Sequence, residues 1–131
     1  MRVRVNVSAG ELIDRITILQ IKARRLPPER RAPVKRELAA ARSARDRAIL
    51  SSKKVISLTR ALQAANRRLW DVEEALRSCE QTGRFGPRFV ALARSVYKTN
   101  DRRAALKREL DRLLGSEVQE QKSHWLPSVG H

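Results

Sequence analysis

The sequence predicts an all-α fold: a long antiparallel helical hairpin of coiled-coil type, with an additional N-terminal helix packed on it and a short N-terminal β arm. Three observations carry this expectation. The chain is rich in alanine, leucine, arginine and glutamate, aromatics make up 4% of it, and only 5 glycines occur in 131 residues, a composition that favours helix. Apolar residues recur at alternating steps of three and four over long stretches. Helix breakers cluster in two short segments, Pro27 and Pro28 in "LPPER" (26–30) and Gly83, Gly86 and Pro87 in "QTGRFGP" (81–87), which act as connections. A chain of this length is expected to form one domain, 1–131.

Residues 2–7, "RVRVNV", alternate polar and apolar and read as an extended arm (1–7) with Val3, Val5 and Val7 on one side. Helix 1 is expected over 8–26. Ser8 caps it, and Glu11 three residues later completes a capping box. Leu12, Ile16, Leu19, Ala23 and Leu26 form its stripe. Ile18 and Ile21 lie off that stripe, so a second side needs covering, by other helices or by a second subunit. Pro27 stops the helix by disfavouring helical geometry at Leu26.

Helix 2 is expected over 33–80, opening on Pro33. Ala41, Ala44, Ala48, Ser51, Val55, Leu58, Leu62, Ala65, Leu69, Val72, Leu76 and Cys79 hold a heptad seam. Its first third is all Ala and Ser, and "ILSSKK" (49–54) is where a break is placed. Gly83 serves as the C-cap and Pro87 opens helix 3, expected over 87–114 and stopped by Gly115. A polar tail, 115–131, follows, with Trp125 and Leu126 as a possible anchor.

Helix 3 carries the feature that singles out a candidate site. Its stripe reads Leu92, Val96, Thr99, Arg103, Leu106, Leu110 and Leu113, apolar at both ends and polar in the middle. The alternative seam through Val96, Asn100, Arg103, Lys107 and Leu110 is polar in the middle too. One reading is a buried polar layer that fixes register. The other is an inter-helix cavity where Asn100, Arg103 and Lys107 face an anionic or sugar-like ligand, Arg as a bidentate donor and Lys as a point charge, with Tyr97 closing one side. Asn66, Trp70 and Glu73 share a flank of helix 2, and Asp71, Glu73 and Glu74 are the expected partners of Arg103. Asp14 and Arg15 on helix 1 read as a solvated pair. In the layer reading, Arg103→Met should be tolerated and removal of its carboxylate partner should cost about 3–5 kcal/mol.

A net charge of +15 attracts polyanions, but it is spread along the chain: +7 over 1–36, +4 over 37–79 and +4 over 80–131. With few aromatics and no zinc-finger or RNP pattern, nucleic-acid binding is a second reading. The sequence lacks the catalytic signatures GxSxG, P-loop, GxGxxG and HExxH. Cys79 lies on the seam as a core residue, and His124 and His131 lack ligand spacing, so no metal or cofactor is expected. No apolar run spans a bilayer and "MRVRVNVSAGELID" lacks the apolar block of a signal peptide, so a cytoplasmic protein is expected.

The blocks "GELIDRITILQIK" (10–22), "LWDVEEALR" (69–77), "LARSVYKTNDRRAALKREL" (92–110) and "GSEVQEQKS" (115–123) resemble a small bacterial protein family of unknown function. The resemblance implies a bacterial, cytosolic, mainly helical protein and suggests a surface-polysaccharide or glycosyltransferase context. "GELIDRITIL" is also similar to the first helix of chorismate mutases, small all-helical dimers that hold a dicarboxylate with Arg and Lys. The leading expectation is a non-enzymatic, dimeric binding or scaffold module with a polar inter-helix site. Nucleic-acid binding by the basic surface and a chorismate-mutase type of catalysis are the alternatives.

Overall fold

The computed structural model describes the backbone of residues 1–125 and the side chains of residues 1–115. The described residues form four α-helices: α1 (Ala9–Arg25), α2 (Arg31–Ala48), α3 (Lys53–Thr82) and α4 (Pro87–Trp125), with a 3-10 turn at Pro28–Arg30 between α1 and α2. No described helix is long and apolar enough to cross a membrane.

The helix ends follow local chemistry. Ser8 Oγ accepts from the Glu11 amide (3.1 Å) and Ser52 Oγ from the Val55 amide (3.1 Å), each satisfying a first-turn N–H. Only the serine half of the expected capping box forms, because the Glu11 carboxylate reaches Lys107 on α4 instead. At the end of α1, Leu26 is extended ahead of Pro27, and Arg31 donates back to the carbonyls of Leu26 (2.7 Å) and Arg24 (2.9 Å). Gly83, at φ 67°, ends α3 in the left-handed conformation that an L side chain enters only at a cost.

α1 is the central helix. On one side Ile16 and Leu19 pack with Leu38 and Ala41 of α2. On the other, Ile13 joins Val55, Leu58 and Leu62 of α3 and Leu106 and Leu110 of α4. The stripe read from the sequence is the α2-facing one. The second apolar side is covered within the chain: Ile21 is buried and Ile18 half-buried, so this side is no argument for a dimer. α4 runs back along α3, with Leu106 and Leu110 level with Leu58 and Leu62 and Thr99 beside Ala65.

Three expectations are corrected. The N-terminal arm is not a strand. No strand occurs among the described residues, and Val3, Val5 and Val7 are exposed, since an alternating segment needs a second strand to pair with. The 33–80 span parts inside the 49–54 segment where the break is placed, with extended Ile49 and Ser52 separating α2 from α3, so what is corrected is the continuous seam. The seam is correspondingly split. Val55 to Val72 is buried, whereas Ala48 and Ser51 are exposed because α2 packs on α1 instead. Finally, Gly115 does not stop the last helix, which runs on through the expected tail to Trp125. A single glycine costs a helix only about 1 kcal/mol relative to Ala, too little to end one by itself. Leu126 lies outside the described residues.

Candidate functional site

α1 turns a second face toward α3 and α4, made by Gly10, Ile13, Asp14, Thr17 and Ile21, all buried. At Gly10, α1 and α4 approach closely: its amide donates to Asp111 Oδ1 (2.7 Å). One turn on, the Asp14 carboxylate enters the helical core and is 1% exposed. Arg103 of α4 meets it with two donors, Nε to Oδ1 (2.9 Å) and Nη2 to Oδ2 (2.5 Å). Asn66 of α3 donates Nδ2 to Asp14 Oδ1 (2.8 Å) and to Thr17 Oγ1 (2.8 Å), while Thr17 donates to the Asp14 carbonyl (2.7 Å). Lys107 Nζ stands 3.8 Å from Asp14 Oδ2 and 2.5 Å from Glu11 Oε2. No buried side-chain polar atom among the described residues lacks a partner.

Burial works to raise the Asp14 carboxyl. Hydrogen bonds from Arg103 and Asn66, with the charges of Arg103 and Lys107, outweigh it and hold the group below its ordinary value of 3.8. The hydrogen bond to Asp14 likewise holds the Arg103 guanidinium above its usual value, against the effect of burial. The pair stays ionised across the physiological range. Its geometry is that of a structural layer, with the Arg103 fork spent on a carboxylate of the same chain.

Of the residues singled out in the sequence, Asn66, Arg103 and Lys107 come together here. Asn100 is exposed, and its Oδ1 receives only a long contact from Arg103 Nη1 (3.5 Å). Tyr97 is exposed and closes nothing. Trp70 donates Nε1 to Glu74 on its own helix (2.7 Å), Glu73 is exposed, and Asp71 pairs with Arg25. The expected partners of Arg103 on α3 are thus corrected to Asp14, read earlier as solvated. The signal lay in spacing: Gly10, Ile13, Asp14, Thr17 and Ile21 follow helical steps, placing Asp14 on an otherwise small or apolar face. Arg15, its neighbour in sequence, does face solvent, pairing with Glu37 of α2.

A second assembly was not read from the sequence. Two adjoining recesses between α1, α2 and α3 share Gln20, Arg24 and Gln63. The larger, about 400 Å³, adds Lys35 and Arg42 of α2; the smaller adds Arg25 and Arg67. That volume falls within the range of small-molecule pockets. At its floor Gln63 Nε2 donates to Gln20 Oε1 (3.0 Å). No carboxylate lines either recess. Arg25 is paired with Asp71 outside; Arg24, Lys35, Arg42 and Arg67 have no ion-pair partner among the described residues. Helical phase brings these cations together: Lys35 and Arg42, seven residues apart, share one side of α2, and Arg24, in the last turn of α1, lies beside them.

Among the described residues, no group of three or more His, Cys, Asp or Glu side chains is placed to hold a metal ion. Comparison with protein-family models, with curated proteins and with solved structures returned no match.

Proposed function

We propose that the chain is a non-enzymatic helical binding module for an anionic, hydroxyl-bearing ligand, held in the basic trough between α1, α2 and α3. The observation that carries this reading is the charge imbalance of the trough: Arg24, Lys35, Arg42 and Arg67 line the two recesses and no carboxylate does. Unpaired like charges repel, and a recess between low-dielectric walls focuses their field on an incoming anion. Arginine forks suit phosphate or carboxylate oxygens, and the Gln20 and Gln63 amides offer further donors and acceptors to hydroxyl groups. A phosphate-bearing sugar satisfies both, which agrees with the surface-polysaccharide context that the family resemblance suggests. In this reading the protein is cytoplasmic, and α3 and α4, packed as a coiled-coil hairpin, are the rigid frame against which α1 and α2 shape the trough.

The chorismate-mutase type of catalysis draws no support from the polar layer, because Arg103 and Lys107 are already bonded to Asp14 and Glu11. The test is thermal melting with inorganic pyrophosphate, a uridine diphosphate sugar and citrate. At least one should raise the melting temperature of the wild type and fail to do so in Arg24→Glu. Arg24→Lys should respond weakly, since charge remains but the fork is lost. No response to any anion, or an undiminished response in Arg24→Glu, refutes the proposal. Duplex DNA binding that exceeds all three and falls steeply with salt would replace it with the polyanion reading.

A further inference from the structure

Thr99, which with Arg103 makes the polar middle of the α4 stripe, takes no part in the Asp14 layer. The chain has four threonines. Thr17, Thr59 and Thr82 each donate to a carbonyl of their own helix, at 2.7, 2.7 and 2.9 Å. Thr99 is 9% exposed, and its hydroxyl, which makes no hydrogen bond among the described residues, is the part that stays open to solvent. It opens into a groove lined by α3 and α4 alone, with Ala61, Ala64 and Ala65 on one wall and Lys98 and Arg102 beside Thr99 on the other. Arg68 continues the alanine wall. No carboxylate lines this groove, and Arg68, Lys98 and Arg102 form no ion pair among the described residues.

We propose that this groove docks an acidic amphipathic helix of a protein partner, at a face separate from the anion trough. The lining residues follow helical steps along both walls, so the groove runs with the helix axes over about 10 Å, two turns at 1.5 Å per residue. A rod-shaped ligand fits that outline. The alanine wall lets a third helix come close, with its small or apolar stripe against Ala61, Ala64 and Ala65. Its flanking carboxylates meet Arg68, Lys98 and Arg102, and one of them accepts the Thr99 hydroxyl proton in a hydrogen bond. Charge argues against a second copy of this chain as occupant, since each carries a net +15 and like-charged faces repel.

The test uses full-length protein and a fluorescein-labelled peptide of about three heptads, with alanine and leucine on one face and glutamate on the other. Two control peptides have the same composition scrambled and glutamate replaced by lysine. Wild type should bind the acidic amphipathic peptide saturably. Ala64→Trp, which fills the groove from an exposed position, and Arg102→Glu should each weaken binding by about tenfold or more. Thr99→Val, of matching shape but without the hydroxyl, should weaken it several-fold. Arg24→Glu, in the trough, should not change it. Melting curves of all variants establish that they fold. Equal binding of the scrambled peptide, no binding of any peptide, or indifference to Ala64→Trp overturns the proposal. So does a concentration-dependent dimer that Ala64→Trp abolishes, which would make a second copy the occupant.

Discussion

Asp14 and Arg103, 89 positions apart, meet in a two-point contact in which the carboxylate is the deeply buried partner: the Asp14 side chain is 1% exposed and the Arg103 side chain 28%. The asymmetry decides which half is dispensable. An orphaned Arg103 can turn its head group toward water, but an orphaned Asp14 has nowhere to go.

Arg103→Met is therefore the damaging substitution, the reverse of what the sequence suggests when Arg103 is taken as the buried charge. It should cost about 3–5 kcal/mol, the usual effect of stranding a buried charge. Asp14→Asn should cost less, since the amide leaves no buried charge. Adding Asp14→Asn to Arg103→Met should recover part of the loss. Urea denaturation of the two single variants and the double variant, compared at constant m-value, checks the order. Equal costs for both single changes, with additivity in the double, would contradict it.

The same pair sets an acid limit on stability. Asp14 has its carboxyl depressed in the folded state, so the unfolded chain binds its proton more readily. The stabilisation is fully present above the unfolded value, near 3.9. It is lost as pH falls through the folded value below that. Wild type should lose stability progressively below about pH 4. Asp14→Asn should lack this component, so the two curves should converge toward low pH in urea melts collected across the acid range. A gap between them that stays constant through the acid range would contradict the assignment to Asp14.

Much of the helical architecture was legible because period and punctuation agree. Ser8, Pro27, Gly83 and Pro87 stand where helices start or end, and Val55 to Val72 fall on the buried face of α3. What was not legible depends on pairing across the fold. The arm at 1–7 has the period of a strand but no partner. The Ala and Ser part of the seam has the period of a coiled coil, yet Leu38 and Ala41 dock on α1. Arg103 was readable as a polar group out of place, whereas its partner was not. A one-dimensional register between α3 and α4 says nothing of α1, from which Asp14 arrives. The basic trough was hidden for a related reason: its cations come from three helices, and in the sequence they are diluted into an even spread of charge.

Gly10 tests the α1–α4 approach directly. A Cβ built there would overlap the Lys107 carbonyl oxygen and lie 2.8 Å from Asp111 Oδ1. The α4 backbone cannot step aside without disturbing Arg103 and Lys107. Gly10→Ala should therefore destabilise the protein by about 1–3 kcal/mol, as overpacking does, although alanine is the better helix former. Gly86→Ala is the matched control. A Cβ there meets nothing within 4 Å, so the change should be neutral or mildly stabilising. Thermal melts of both variants decide the matter, and a stabilised Gly10→Ala would mean that α1 and α4 are not in this contact.

α2 should be the first helix to open. Its buried side chains are Leu38 and Ala41, and among the described residues of the other α-helices it packs only against α1. α3 and α4 share a core with Ile13 and the Asp14 layer. Elements with little buried apolar surface exchange their amide protons through local opening rather than global unfolding. Hydrogen exchange should thus be faster in 31–48 than at the centre of α3. Leu38→Ala, a deletion that costs about 2–5 kcal/mol in a packed core, should speed exchange in α2 while leaving Leu62 and its neighbours protected. The prediction bears on the proposed function because Lys35 and Arg42 bring α2 to the basic trough. A ligand that bridges these cations to Arg24 and Arg67 binds only the closed form and so must slow α2 opening by mass action. Uniform exchange across α2 and α3 would show that α2 is part of the same cooperative unit. A trough ligand that leaves α2 exchange unchanged would show that Lys35 and Arg42 do not hold it.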